Sequence, residues 1–180
     1  MDFIENNIKQ SSVFNDCQMH AFFISYVESP IGTIEIKASE AYLLSVQFIE
    51  TKHRETTFSE NDISKSGKQQ LIEYFASARH EFDLPLLLSG TEFQNKVWME
   101  LQQIPFGKTV SYLQLAKNLG DPKCIRAAGT ANGKNPFAIV VPCHRVIGSN
   151  GDLIGYAGGL WRKQWLLEHE HNLQKQVSLF

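Results

Sequence analysis

A chain of 180 residues has room for one ordinary domain or two small ones, and at 43% hydrophobic and 11% aromatic it can bury a true core. Its net charge of −2 excludes a surface coated in basic residues, and no apolar run approaches the ~20 residues that cross a bilayer. The opening "MDFIENNIKQSS" has no basic start leading into an apolar stretch, so no secretory signal is expected; the odd, widely spaced set Cys17, Cys124 and Cys143 fits a reducing cytoplasm better than a disulfide framework.

Residues 1–19 are polar without periodicity and read as a loose extension. "HAFFISYVES", "GTIEIKAS" and "AYLLSVQFIE" then read as three strands of an antiparallel meander, separated by Pro30 with Gly32 and by Ser39 with Glu40. "TIEIK" alternates polar and apolar residues, the pattern of a half-exposed strand. After the polar loop "TKHRETTFSENDIS", the stretch "SKSGKQQLIEYFASARHEF" puts Leu71, Ile72, Phe75 and Ala78 at helical spacing. "DLPLLLSG" is an extended link, since Pro85 opposes helix and Gly90 ends the run. A domain boundary is therefore expected near residue 90, dividing the chain into an extension over 1–19 and domains over 20–90 and 91–180.

The second half reads as mostly helical. In "TEFQNKVWMELQQIPFG", Thr91 is an N-cap and Phe93, Val97, Trp98 and Leu101 form one apolar face. A short helix over 112–119, the turn Gly120-Asp121-Pro122 and the small-residue helix "PKCIRAAGTANGK" make a helix-turn-helix pattern, with Arg126 and Lys134 projecting. A plain helical hairpin would give the same pattern. "PFAIVVPCHRVIG" reads as a strand, "SNGD" as a turn, and "LWRKQWLLEHE" as a final helix with Leu160, Trp165 and Leu166 inward. Charge is uneven: residues 1–90 carry 7 basic against 13 acidic side chains, whereas residues 91–150 carry 7 against 3. A local basic face of that kind can hold phosphates on an acidic chain.

Pro142-Cys143-His144-Arg145 closes a β-branched run with a nucleophile, a base and a cation. A reactive cysteine needs its thiolate, and a nearby His can supply it. Successive side chains of a strand point to opposite faces, so an extended chain would keep His144 off the sulfur. Either the chain bends at Pro142-Cys143 or a water carries the proton. The base also needs an orienting partner, for which Glu168 and Glu170 are the candidates. A buried inert cysteine is the alternative.

"PCHRVIG" after "GTANGKNPFAIVV", with "SYLQLA" upstream and "GYAGGLWRKQWLLEHE" downstream, resembles the O6-alkylguanine-DNA alkyltransferases, or methylated-DNA–protein-cysteine methyltransferases. The match runs from Thr91 to Glu170, and residues 20–90 resemble the family's ribonuclease-H-like N-terminal domain. The resemblance implies an α+β fold: an N-terminal antiparallel sheet with a helix, then a mostly helical helix-turn-helix domain carrying the active-site cysteine. It implies a single-turnover repair enzyme that flips O6-alkylguanine out of double-stranded DNA and keeps the alkyl group on Cys143. O4-alkylthymine is left open as a second substrate. The resemblance further implies no cofactor, no membrane partner, a monomer, and a cytoplasmic location, nucleoid-associated in a bacterium.

Residue roles follow from the same resemblance. Cys143 is the acceptor, His144 the base acting through a water, and Glu170 the carboxylate orienting His144. Asn135 ties the helix-turn-helix to the acceptor region, and Tyr112 crowds the phosphate and donates to guanine N3. Val146, Tyr156, Ala157 and Gly158 form the guanine pocket. Arg126 is the finger that fills the vacated stack, while Gln94 and Ser149 meet the DNA backbone. Ala157 departs from relatives that carry Ser there, which leaves substrate preference open. Some members bind zinc; the pair Cys17 and His20 is the nearest equivalent here, and no metal is expected. A lesion binder without catalysis and a helix-turn-helix regulator with a redox cysteine are the competing readings.

Overall fold

The computed structural model describes residues 22–53 and 58–177. Strands β1 (Phe23–Ser29), β2 (Gly32–Ala38) and β3 (Leu43–Phe48) form an antiparallel sheet in that order. Val27 faces Ile34 across the first pair and Ile36 faces Val46 across the second. The turn between β1 and β2 closes on Gly32, whose φ of 110° suits a residue without a Cβ. The expected half-exposure of "TIEIK" does not hold: Thr33, Ile34, Glu35 and Ile36 are all buried. β2 is the central strand, and Glu35 stays satisfied through Tyr26 Oη at 3.3 Å and Lys37 at 3.1 Å.

Helix α1 (Asp62–Phe75) starts in a capping box between Asn61 and Ser64. Its inward face is Ser64, Gly67, Leu71 and Tyr74. Gly67 lets it ride close: a Cβ there would stand 3.2 Å from Ile36 Cγ2. Of the apolar residues at helical spacing, Leu71 is buried and Phe75 packs against the core, whereas Ile72 is 44% exposed and Ala78 lies in an exposed turn beyond the helix. The buried stripe contains a serine and a glycine, so hydrophobicity alone does not outline it. Residues 85–87 run beside β3, with Leu43 N bonded to Pro85 O and Leu87 N to Leu43 O.

Helix α2 (Glu92–Leu101) is capped by Thr91 and buries Val97, Trp98 and Leu101. Strand β4 (Val110–Ser111) leads into α3 (Tyr112–Asn118); a turn through Gly120 and a single 3-10 turn then start α4 (Ile125–Gly133). Trp98 Nε1 donates to Ala131 O at 2.9 Å and locks α2 onto α4. Strand β5 (Val146–Ile147) runs parallel to β4, and α5 (Leu160–Val177) closes the fold. Leu166 is buried as expected, but Leu160 is 47% exposed at the first residue of α5.

The run "IVV" is not a strand. Residues 138–140 are turns, Ile139 takes φ 71°, and Cys143–Arg145 is a 3-10 turn. Phe137 forms an isolated bridge with Val46 of β3. Asn135 overrides the β-propensity: its Oδ1 accepts from Phe137 N at 3.0 Å, and its Nδ2 donates to Val141 O at 2.7 Å. One continuous core runs from the sheet through α1 to α2, α4 and α5.

Candidate active site around Cys143

The bend at Pro142 aims Cys143, His144 and Arg145 in three directions from one 3-10 turn. All three are buried, at 6%, 0% and 6% exposure. β4–β5 pairing sets Ser111 beside Ile147 and so brings Tyr112, at the start of α3, to the same region. On α5 the inward residues are Lys163, Leu166 and Glu170, at i, i+3 and i+7.

Glu170 is the electrostatic centre. Its Oε1 faces His144 Nε2 at 2.9 Å and accepts from Tyr74 Oη at 2.9 Å and Arg145 Nη2 at 3.0 Å. Its Oε2 accepts from Arg145 Nε and Gly107 N, both at 2.9 Å. Burial alone would raise this carboxyl, but His144 and Arg145 outweigh it and hold Glu170 well below the usual range. An anionic Glu170 requires the proton of neutral His144 to sit on Nε2, which leaves the Nδ1 lone pair as the base. Nδ1 is buried and has no protein partner. Burial lowers the imidazole pKa, with Glu170 opposing, so His144 is neutral at rest. Burial also raises the Cys143 thiol, against the pull of the Asn135 amide and the Lys163 charge. Lys163 is fully buried and pushed down to about 8 by desolvation. Its Nζ donates to Val146 O at 2.6 Å, Ile154 O at 2.7 Å and Gly155 O at 3.3 Å.

Cys143 opens onto a cleft of about 250 Å³ between Val46, Gln47 and Phe48 on one side and Tyr156, Ala157 and Gly158 on the other. Asn132 and Tyr156 each keep a buried polar atom without a protein partner here, Oδ1 and Oη. Asn132 Nδ2 faces Cys143 O at 3.4 Å, which orients the amide and leaves Oδ1 as the free acceptor. A thiol, a poised base and unpaired polar groups around one small cleft suit attack of sulfur on a planar polar ligand.

Two family models cover most of the chain: the DNA binding domain of 6-O-methylguanine DNA methyltransferase over residues 92–172, and its ribonuclease-like domain over residues 22–88. The chain belongs to the 6-O-methylguanine DNA methyltransferase family. The methylated-DNA–protein-cysteine methyltransferase of Methanosarcina acetivorans is 44% identical over 82% of this chain and 97% of its own length. That of Mycolicibacterium paratuberculosis is 47% identical over 80% of this chain and 89% of its own. The crystal structure of Mycobacterium tuberculosis OGT in complex with DNA superposes with a TM-score of 0.76 at 42% identity, covering 84% of this chain and 94% of that one.

Within this methyltransferase fold the residues singled out from sequence fall in three groups. Cys143, His144, Glu170, Asn135, Tyr156, Ala157 and Gly158 meet at the cleft or directly behind it. Glu168, the other candidate carboxylate, faces solvent and accepts from Gln164. Tyr112 Oη donates to Ile154 O at 3.1 Å, so it borders the loop over 154–158 rather than lining the cleft. Val146 is behind the wall, its carbonyl taken by Lys163. Arg126 and Ser149 are exposed, on the first turn of α4 and in the turn after β5. Gln94 is half-buried, its side chain accepting from Thr91 N in the α2 capping box. Cys17 and His20 lie outside the described residues. Among the described residues no cluster of three or more His, Cys, Asp or Glu could hold a metal, and no helix is long and apolar enough to cross a membrane.

Sequence reasoning does not find Tyr74, Lys163 or Asn132. A lysine on the stripe of Leu166 and Glu170 is the one signal available for Lys163. Tyr74 reaches Glu170 from 96 residues away, and no local pattern reports that.

Proposed function

We propose that this protein repairs DNA by direct reversal, taking the alkyl group of O6-alkylguanine onto Cys143 once per molecule. The observation that carries this is the buried array Cys143, His144 and Glu170 behind a cleft of base-like size. The Cys143 proton passes to His144 Nδ1 through a bridging water, and Glu170 stabilises the imidazolium. The sulfur attacks the alkyl carbon in line; the S–C bond forms as the C–O6 bond breaks, and the pair stays on the guanine. Tyr112, whose hydroxyl rests on Ile154 O, turns from that carbonyl to donate to guanine N3 as that charge builds. The thioether has no return path within the protein, so turnover stops at one.

Exposed Arg126 on the small-residue helix α4 fits a finger that fills the gap left by the flipped base, offsetting part of an unstacking cost of a few kcal/mol. Gln94 and Ser149 would meet phosphates, which position the protein without reading sequence. Tyr156, Ala157 and Gly158 hold the guanine, Val146 backs the wall behind them, and Asn135 ties α4 to the acceptor turn. We further infer a division of labour near residue 90, a monomer, and a cytoplasmic site of action.

Intact mass and peptide mapping after incubation with a duplex carrying one O6-methylguanine test the reading. One methyl per protein, on the peptide bearing Cys143, is the expected result. Lesion binding without an adduct would assign a damage sensor instead. Cys143→Ala keeps duplex binding and abolishes transfer; a Cys143→Ala protein that cleared the lesion would overturn the assignment of the nucleophile.

A further inference from the structure

We propose that Arg162 is a positioning residue that sets the width of the alkyl-acceptor cleft by tying the loop over residues 154–158 to the N-terminal sheet. The inference deepens the repair reading and rests on it for the identity of the substrate. The cleft has two walls: Phe48 belongs to the last residue of β3, and Gly158 belongs to the loop before α5. Arg162 touches both. Its Nη1 donates to Gly158 O at 2.6 Å, and its guanidinium carbon stands 4.7 Å from the centre of the Phe48 ring. Its Nε donates to Ile31 O at 2.7 Å, in the turn between β1 and β2. Trp161 stacks on the same guanidinium at 4.5 Å.

The packing leaves no slack. A Cβ on Gly158 would stand 3.1 Å from Phe48 Cδ2 and 3.3 Å from Arg162 Cδ. A Cβ on Gly32 would stand 3.0 Å from Arg162 Nη2, so the guanidinium lies against bare backbone there. The other end of the loop is held by Lys163, through Ile154 O and Gly155 O. Neighbouring helix residues point about 100° apart, so one turn of α5 grips both ends of the loop. The two cations differ in reach. The carbonyls Lys163 bonds all lie within residues 146–155, whereas Arg162 extends to the sheet. The gap between the Phe48 wall and the loop wall is thereby spanned by one planar side chain. Lysine does not replace it, because an ammonium can bond carbonyls, as Lys163 does, but has no flat face to stack on Phe48 while it reaches both Ile31 O and Gly158 O.

The consequence is a size limit on the group beside Cys143. The test measures alkylation of Cys143, followed by peptide mapping, with iodoacetamide and with its bulkier N-benzyl analogue. In Arg162→Lys and Arg162→Met, the benzyl-to-parent rate ratio is expected to rise about tenfold, the scale on which pockets discriminate a few carbons. Phe48→Leu, which trims the wall and keeps the arginine, raises the ratio in the same direction. The same proteins are then given O6-benzylguanine and O6-methylguanine in duplex DNA, where the ratio follows. A general loss of stability exposes the buried Cys143 thiol and speeds both reagents together, whereas a widened cleft raises the benzyl rate and leaves the iodoacetamide rate near that of wild type, so a parallel rise of both rates would count against the proposal. Unchanged reagent ratios in all three variants would overturn the proposal. Wild-type protein that accepts no alkyl group from O6-methylguanine would instead overturn the repair reading, and the reagent ratios would still decide the role of Arg162.

Discussion

Glu170→Gln is the most informative single change, because the carboxylate it removes accepts from five donors on four residues. Those are Tyr74 Oη, Gly107 N, His144 Nε2, and Nε and Nη2 of Arg145. Glutamine keeps the shape but offers one acceptor oxygen, and its amide hydrogens meet donors where Glu170 met them with lone pairs. Arg145, 6% exposed, loses its counter-charge and is left with the Ile104 carbonyl, the Phe106 ring face and at most one amide oxygen. Removing one partner of a buried ion pair costs about 3–5 kcal/mol. For a chain of this size each kcal/mol lowers the melting temperature by about 2–4 °C, so a fall of roughly 6–20 °C is expected. The pH dependence changes too. Glu170 is held below its ordinary value of 4.5, so its contribution is present above that pH and is lost as pH falls towards the folded-state value. Wild type therefore loses stability through the acid range relative to Glu170→Gln, and the gap between them narrows. Transfer slows by about 10²–10⁴-fold, since the Nε2 proton is no longer held and the imidazolium is no longer stabilised. Calorimetric melting from neutral to acid pH, together with single-turnover transfer from an O6-methylguanine duplex, reads both effects. A melting temperature within 2 °C of wild type, roughly the effect of half a kcal/mol, combined with an unchanged rate, would refute the reasoning.

Lys163→Met keeps the apolar stem and removes the charge that opposes the burial-raised thiol of Cys143. Its Cys143 reacts with iodoacetamide more slowly at neutral pH. The disadvantage fades above about pH 8, where wild-type Lys163 itself loses its proton; parallel pH profiles would contradict this. Gly90→Ala drives a methyl to 2.6 Å from the Trp98 ring, so the indole shifts off Ala131 O at a cost of about 1–3 kcal/mol, read as a lower melting temperature and altered tryptophan fluorescence. Arg126→Ala slows repair in duplex DNA more than it slows reaction with free O6-benzylguanine; equal losses on both would rule out the finger role.

Much of the fold was legible because its signals are local. Thr91 with Gln94 states a helix start in four residues, and Ser29 to Gly32 states a tight turn. The acceptor segment was misread for the same reason that the strands were read well. Ile139, Val140 and Val141 carry β-propensity, and nothing next to them announces that Asn135 will bend the chain back on itself. The helical spacing of Leu71 and Phe75 marked α1, but not its full inward face, because Gly67 and Ser64 are buried for closeness and hydrogen bonding, which hydropathy does not register.

The sequence by itself put Cys143 and His144 side by side in one motif, offered two carboxylates near the end of the chain as partners for the histidine, and gave a helix-turn-helix pattern ahead of them that a plain helical hairpin would share. The residues alone left Glu168 and Glu170 open and the resemblance preferred Glu170; in the tertiary structure Glu170 faces His144 and Glu168 faces solvent, because a helix turns residues two apart to opposite environments. The tertiary structure alone brought Tyr74 from α1 onto Glu170, sank Lys163 beneath the loop, and laid Arg162 between Phe48 and Gly158. These are long-range contacts made by burial, and burial is a property of the packed chain rather than of any stretch within it.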